Sequence, residues 1–173
     1  MAYKQNRQFK IVLVGPEKVG KTAFVQKYRT KRFEKFYIPT LRVEVYSINL
    51  DTNYGNIIFK IWNCAELCEE YYTNARGAII MIDNTSKLSV NSVPSYLETL
   101  RRVNPNMQIV LCSNKVDNIS NKQMTLTYIQ DFAKNLNIEQ VIQISVKSNY
   151  NFDKPFLYLL QKLVNEDCEV IIE

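Results

Sequence analysis

The chain is 173 residues long, 46% hydrophobic and 23% charged, with 22 Lys and Arg against 17 Asp and Glu for a formal charge of +5. That is the size of one domain able to bury a core without a disulfide or structural metal, and its composition excludes a disordered chain. It contains no histidine, so imidazole acid–base chemistry, His-ligated metals and imidazole pH switches are excluded. The mild basic balance falls short of a dedicated nucleic-acid binder, and no direct nucleic-acid contact is expected. No apolar run approaches the ~18 residues of a membrane span. Ala2 stands where myristoylation needs glycine, and Cys168 is not in a C-a-a-X tail, so no membrane attachment is expected either. Cysteines 64, 68, 112 and 168 follow no framework spacing and suit a reducing, intracellular setting. Cys64 and Cys68, four apart, read as small, half-buried side chains able to share a helical face rather than as a zinc pair.

In chain order, residues 1–8 read as a flexible N-terminus. Phe9 to Gly15 (FKIVLVG) is a short buried strand stopping at glycine, and Lys21 to Tyr28 is a helix. Val43 to Leu50 and Asn56 to Trp62 flank a turn at Asp51–Gly55 (DTNYG), which predicts a hairpin. Gly77 to Asp83 (GAIIMID), Gln108 to Ser113 (QIVLCS) and Gln140 to Ser145 are further strands, with helices expected near 90–103, 122–136 and 153–165. Residues 166–173 are expected to form a short tail. Strands alternating with helices predict an α/β fold: one domain, its six-stranded, mostly parallel sheet flanked by about five helices.

Gly15-Pro16-Glu17-Lys18-Val19-Gly20-Lys21-Thr22 fits G-x-x-x-x-G-K-[ST], after a buried strand and opening a helix. Backbone N–H groups of such a loop converge on phosphate oxygens, aided by the positive helix N-terminus that continues through Ala23. Lys21 offers a point charge to the outer phosphates, and the Thr22 hydroxyl can ligate Mg²⁺. The competing reading is a glycine turn before an ordinary helix. The pattern predicts a nucleoside triphosphate but is silent about its base.

The base is read by Asn114-Lys115-Val116-Asp117, at the end of the QIVLCS strand, where open α/β sheets bind ligands. A carboxylate at 117 can accept from guanine N1–H and the exocyclic amine. Adenine has an acceptor at N1 and no amine at C2, so Asp117 would be unpaired and repelled. Charge-assisted hydrogen bonds are worth roughly 1.5–3 kcal/mol each, enough for strong discrimination. The Lys115 stem can cover one face of the base, and Ser145-Val146-Lys147 would close the pocket from the other side. Alone, N-K-x-D can be a turn with a capping Asp; following a phosphate loop, it points to guanine.

With these residues in place the sequence resembles a small Ras-superfamily GTPase, a single P-loop NTPase (G) domain, and within that superfamily the Ran branch. The similarity runs from about Phe9 to Leu163, most specifically in FEKFYIPTLRVEV (33–45), AIIMIDNTS (78–86), VLCSNKVD (110–117) and KSNYNFDKPFLYL (147–159). The resemblance implies that Phe33 packs against guanine and Tyr37 lies over the phosphates, although plain packing is an alternative for both. It implies that Thr40 gives its hydroxyl to Mg²⁺ and its N–H to the γ-phosphate when switch I closes. It places residues 9–165 in the G domain, with GTP or GDP as ligand, Mg²⁺ as cofactor and nuclear transport factors as partners. It further implies a monomer shared between nucleus and cytoplasm.

Departures from the family are concentrated. Where the family has D-T-A-G-Q, this chain reads Asn63-Cys64-Ala65-Glu66-Leu67. The acid that holds a Mg²⁺-bound water becomes neutral Asn63. The glycine whose N–H reaches the γ-phosphate becomes Glu66, and the water-orienting glutamine becomes Leu67. The segment up to Tyr71-Tyr72 is about six residues shorter than in Ran. Glu17 replaces the small residue that leaves room for the glutamine or an arginine finger, so no catalytic residue is assigned. Ran's basic stretch in the fourth-helix region is Asp131-Phe132-Ala133-Lys134, which weakens the case for transport-receptor contact. Three readings stay open: a working GTPase switch assisted by a partner, a guanine-nucleotide-binding module with impaired hydrolysis, and a Ran-shaped interaction protein without nucleotide.

Overall fold

The computed structural model describes residues 7–33, 39–121 and 124–171. Strand β1 (Arg7–Val14) leads into helix α1 (Lys21–Thr30), followed by the hairpin of β2 (Val43–Thr52) and β3 (Gly55–Cys64). A single turn of helix, α2 (Glu69–Tyr72), precedes β4 (Gly77–Asp83). Helices α3 (Lys87–Asn91) and α4 (Val93–Val103) come next, then β5 (Gln108–Asn114), α5 (Leu126–Asn135), β6 (Gln140–Gln143) and α6 (Lys154–Leu163). Only Ser92 separates α3 from α4. Pro94, in the first turn of α4, lacks the N–H that would extend the hydrogen-bond ladder of α3, so the two make one broken helical stretch and five stretches flank the sheet.

The strand order is β2-β3-β1-β4-β5-β6, with every neighbouring pair parallel except the β2–β3 hairpin. The expected α/β domain with a six-stranded, mostly parallel sheet is therefore what forms. The central strands are apolar on both faces because helices cover both. Alternation along β1 sends Ile11 and Leu13 to the layer of α1 and α6, and Val12 and Val14 to that of α4 and α5. In the first layer Phe24 of α1 stacks on Phe156 of α6 with ring centroids 5.1 Å apart. That contact sets α1, and with it the loop at its N-terminus, against the sheet.

Several boundaries differ from expectation for identifiable reasons. β1 begins at Arg7, inside the segment expected to be flexible, because Arg7 and Gln8 pair with Ile57 and Ile58 of β3. α5 begins at Leu126 rather than near 122; Thr125 caps it, its side chain accepting from the N–H of Tyr128. Cys64 ends β3 and Cys68 is the extended N-cap of α2, so the two share no helical face. The chain after α6 turns back to the hairpin. Asn53 Nδ2 donates to the Asp167 carbonyl (2.8 Å), Asn53 N–H to Glu169 O (3.2 Å), and Ile171 N–H to Asp51 O (2.7 Å). Thr52 and Val170 form an antiparallel bridge, and Cys168 is fully buried beneath it. No helix among the described residues is long and apolar enough to cross a membrane.

Candidate functional site

At the carboxyl ends of β1, β5 and β6 three loops surround a cavity of about 750 Å³, within the range of small-molecule sites. The first loop and the start of α1 contribute Glu17, Lys18, Gly20, Lys21, Thr22 and Ala23; the second contributes Asn114, Lys115 and Asp117; the third contributes Val146 and Lys147. Phe33 and Thr40, from the connection between α1 and β2, also line it. Gly15, Val19 and Ser145 stand behind this lining and shape it. Tyr37 lies outside the described residues.

The glycines of the first loop answer two steric demands. Gly15 has φ +139°, and a Cβ there would sit 2.1 Å from the Met81 carbonyl oxygen of β4. Gly20 has φ +105°, and a Cβ would meet Asn114 Nδ2 at 2.4 Å. Lys18 and Lys115 hold the left-handed conformation as well (φ 63° and 66°), a cost that non-glycine residues bear mostly at functional loops. Gly20 is the N-cap of α1, so the helix points its unpaired N–H groups into the cavity.

Lys21 Nζ donates to the carbonyls of Gly15 (2.6 Å) and Pro16 (2.8 Å). Burial pushes its ammonium down to about 8, against the opposing pull of Cys64 and Glu17 nearby. A buried cation with only neutral carbonyls for partners calls for an anion. Asn114 ties two loops together: its Nδ2 donates to Val19 O (2.8 Å), and its Oδ1 accepts from Val146 N–H (3.1 Å). Asp117 accepts from the Ser145 hydroxyl (2.6 Å), which aims the carboxylate, and Ser145 itself accepts from Ser148 N–H (3.0 Å). Lys115 Nζ pairs with Asp83 Oδ2 (2.6 Å) at the end of β4.

The hydroxyls of Thr22 and Thr40 lie 2.9 Å apart, and Asn63 Nδ2 donates to both, at 2.9 and 3.4 Å. Asn63 is fully buried, and its Oδ1 has no hydrogen-bond partner. The two adjacent hydroxyl oxygens suit Mg²⁺, a hard cation that keeps several of its waters, while the Asn63 amide oxygen is turned away from them. These residues fit the ion: Thr22 and Thr40 would hold it, and it would neutralise phosphate charge there. Glu66 and Leu67 lie between β3 and α2. Tyr72 Oη donates to the Glu66 carbonyl (3.4 Å), Leu67 is 45% exposed, and neither residue lines the cavity.

Some contributors were not legible from the motifs. Lys27, on α1, is buried and donates to the carbonyls of Val146 and Lys147 (3.0 Å for the latter), with its Nζ 5.5 Å from the Phe33 ring. It resembles any helical cation in sequence, and nothing there marks it. Asp83 offered a signal: an acid closing an otherwise apolar strand. Gln26 and Ala65 also line the cavity.

Fold and loops together define a P-loop nucleotide-binding α/β domain. The model of the Ras family matches residues 10–165, and the chain belongs to that family. It is a small GTP-binding protein, of a family whose members bind GTP and GDP, typically with Mg²⁺, and engage protein effectors.

Proposed function

We infer that this chain is a Ran-like guanine-nucleotide-binding module with impaired hydrolysis, which retains GTP or GDP and acts through protein partners. The observation that carries this reading is Leu67. At the family's glutamine position it presents an exposed hydrocarbon side chain that can neither accept from nor donate to an attacking water. Phosphoryl transfer depends on positioning that water and relieving spread-out negative charge. Glu17, on the rim of the cavity, adds bulk and negative charge where an arginine finger would insert. In Ras-type GTPases such a finger contributes on the order of 10³–10⁵ in rate, so its exclusion removes most of any activation. The Ran-like blocks at 33–45 and 147–159 support nuclear transport factors as the partner class and nucleus and cytoplasm as the location.

Single-turnover hydrolysis of preloaded GTP, with and without a Ran-type activating protein, tests the reading. The expected result is a very slow intrinsic rate with no stimulation. Strong stimulation would overturn it. So would an intrinsic rate equal to that of glutamine-bearing relatives and lost in Glu66→Ala or Glu17→Ala, which would make one of those acids a base.

A further inference from the structure

Position 63 carries no charge, yet the oxygen cluster around it does. In the β2–β3 hairpin Glu44 is the register partner of Asn63. Asn63 Nδ2 lies 3.3 Å from Glu44 Oε2, besides its contacts with Thr22 and Thr40. A carboxylate only accepts, so the amide must turn its NH₂ toward Glu44, and the assignment of Nδ2 and Oδ1 follows from that. Three oxygens, two of hydroxyls and one of a carboxylate, thus converge on a single donor nitrogen. A hydrated hard cation requires oxygen ligands and gains from an anion within reach; the two hydroxyls offer the first, and the carboxylate beside the Asn63 amide offers the second.

The Glu44 carboxylate is also held in place. Tyr46, two residues along β2 and on the same face, donates from Oη to the same Oε2 at 2.7 Å. The Arg29 guanidinium lies 5.1 Å from the Tyr46 ring and keeps that ring against α1. An exposed glutamate would otherwise sample many rotamers, and Tyr46 selects the one that reaches the Asn63 amide beside the Thr22–Thr40 pair.

The geometry points to Glu44 as the residue that supplies the anionic oxygen of the Mg²⁺ site, in place of the charge that Asn63 lacks. This rests on the guanine-nucleotide reading above. A unit charge several ångströms from a divalent ion, in a partly solvated site, changes its affinity by about tenfold or more. The same charge placed directly at position 63 would make Glu44 redundant.

The test is retention of fluorescent GDP as free Mg²⁺ is lowered with a chelator, comparing the unaltered protein, Glu44→Gln, Asn63→Asp and the double variant, with thermal unfolding of each measured in parallel. The midpoint for Mg²⁺ is expected to rise about tenfold in Glu44→Gln and to fall in Asn63→Asp. In the Asn63→Asp background, Glu44→Gln should move it less than about threefold, which a general structural defect would not reproduce. Tyr46→Phe, which releases the carboxylate, should shift the midpoint in the direction of Glu44→Gln with a smaller change. A Glu44→Gln midpoint within about twofold of the unaltered protein overturns the assignment, as does an equal shift in both backgrounds. Failure of the unaltered protein to bind fluorescent GDP at saturating Mg²⁺ would overturn the nucleotide reading itself. Binding with an unmoved midpoint overturns only the role of Glu44.

Discussion

The Asn114 side chain donates 2.8 Å to the carbonyl of Val19, ninety-five positions earlier in the chain, and accepts 3.1 Å from the N–H of Val146. One buried amide thereby makes a single body of the loops after β1, β5 and β6. Neither the phosphate end nor the base end of the cavity can shift without the other.

Asn114→Ala therefore leaves the Val19 carbonyl and the Val146 N–H buried and unpaired. Each such loss costs about 1–3 kcal/mol. In a domain of this size, thermal unfolding of the ligand-free protein should fall by several degrees, at about 2–4 °C per kcal/mol. An unfolding temperature within a degree of the unaltered protein would show that the amide is not the tie between the loops.

Asp117 sets the base preference, because the Ser145 hydroxyl holds its carboxylate as an acceptor facing the cavity. GTP and GDP should displace fluorescent GDP far better than ATP. Asp117→Asn should weaken both guanine nucleotides by at least about tenfold, a charged acceptor having become an amide. Competition by ATP equal to that by GTP would refute guanine selectivity.

Asp83 links pH to stability. Burial alone would raise its carboxyl, but the Lys115 ammonium at 2.6 Å and two Thr85 donors at 2.7 and 2.8 Å outweigh that and hold it below the usual range. A carboxyl lowered by folding contributes stability above its unfolded pKa of about 3.9, and loses it as pH falls through the folded value. Lys115→Met should accordingly be less stable than the unaltered protein at neutral pH. The gap should close in acid, once Asp83 is protonated in both proteins. Thermal unfolding followed by circular dichroism across that range checks it; a gap independent of pH would remove Asp83 from the explanation.

The four cysteines should differ sharply in reactivity. Burial pushes the Cys64 thiol up to about 12 and raises those of Cys112 and Cys168. All three are buried, whereas Cys68 is partly exposed at the start of α2. Since only the thiolate reacts, iodoacetamide at pH 8 should label Cys68 alone in the native protein, as read by mass spectrometry of its peptides. Early labelling of Cys64 would mean that the end of β3 opens.

Much of this was legible in the sequence, and the reason lies in how each signal is encoded. The phosphate loop and Asn114–Asp117 are local: glycines at fixed offsets and a carboxylate at a strand end dictate their own geometry. Apolar runs likewise announced the central strands, buried on both faces. What stayed hidden depends on register across the sheet. Nothing in the sequence states that Glu44 faces Asn63; only the pairing of β2 with β3, set by the two-residue turn at Asn53 and Tyr54, brings them together. Lys27 was equally silent, because the carbonyls that it holds arrive from residues 146 and 147, more than a hundred positions later. The polar stretch before Thr125 is compatible with helix in sequence, and only the cap that Thr125 forms sets the start of α5 at Leu126.

The clasp between the C-terminal segment and the β2–β3 turn decides how the molecule bears a load. Its hydrogen bonds run from residues 167–171 to residues 51–53, at the end of the hairpin opposite Asn63 and Glu44. Force applied through the C-terminus, by a tether or an attached partner, therefore enters the sheet at its β2 edge rather than through α6. Those few bonds lie at an edge and open one after another, so they act as a mechanical fuse: residues 165–171 peel away while the loops around the cavity keep their places.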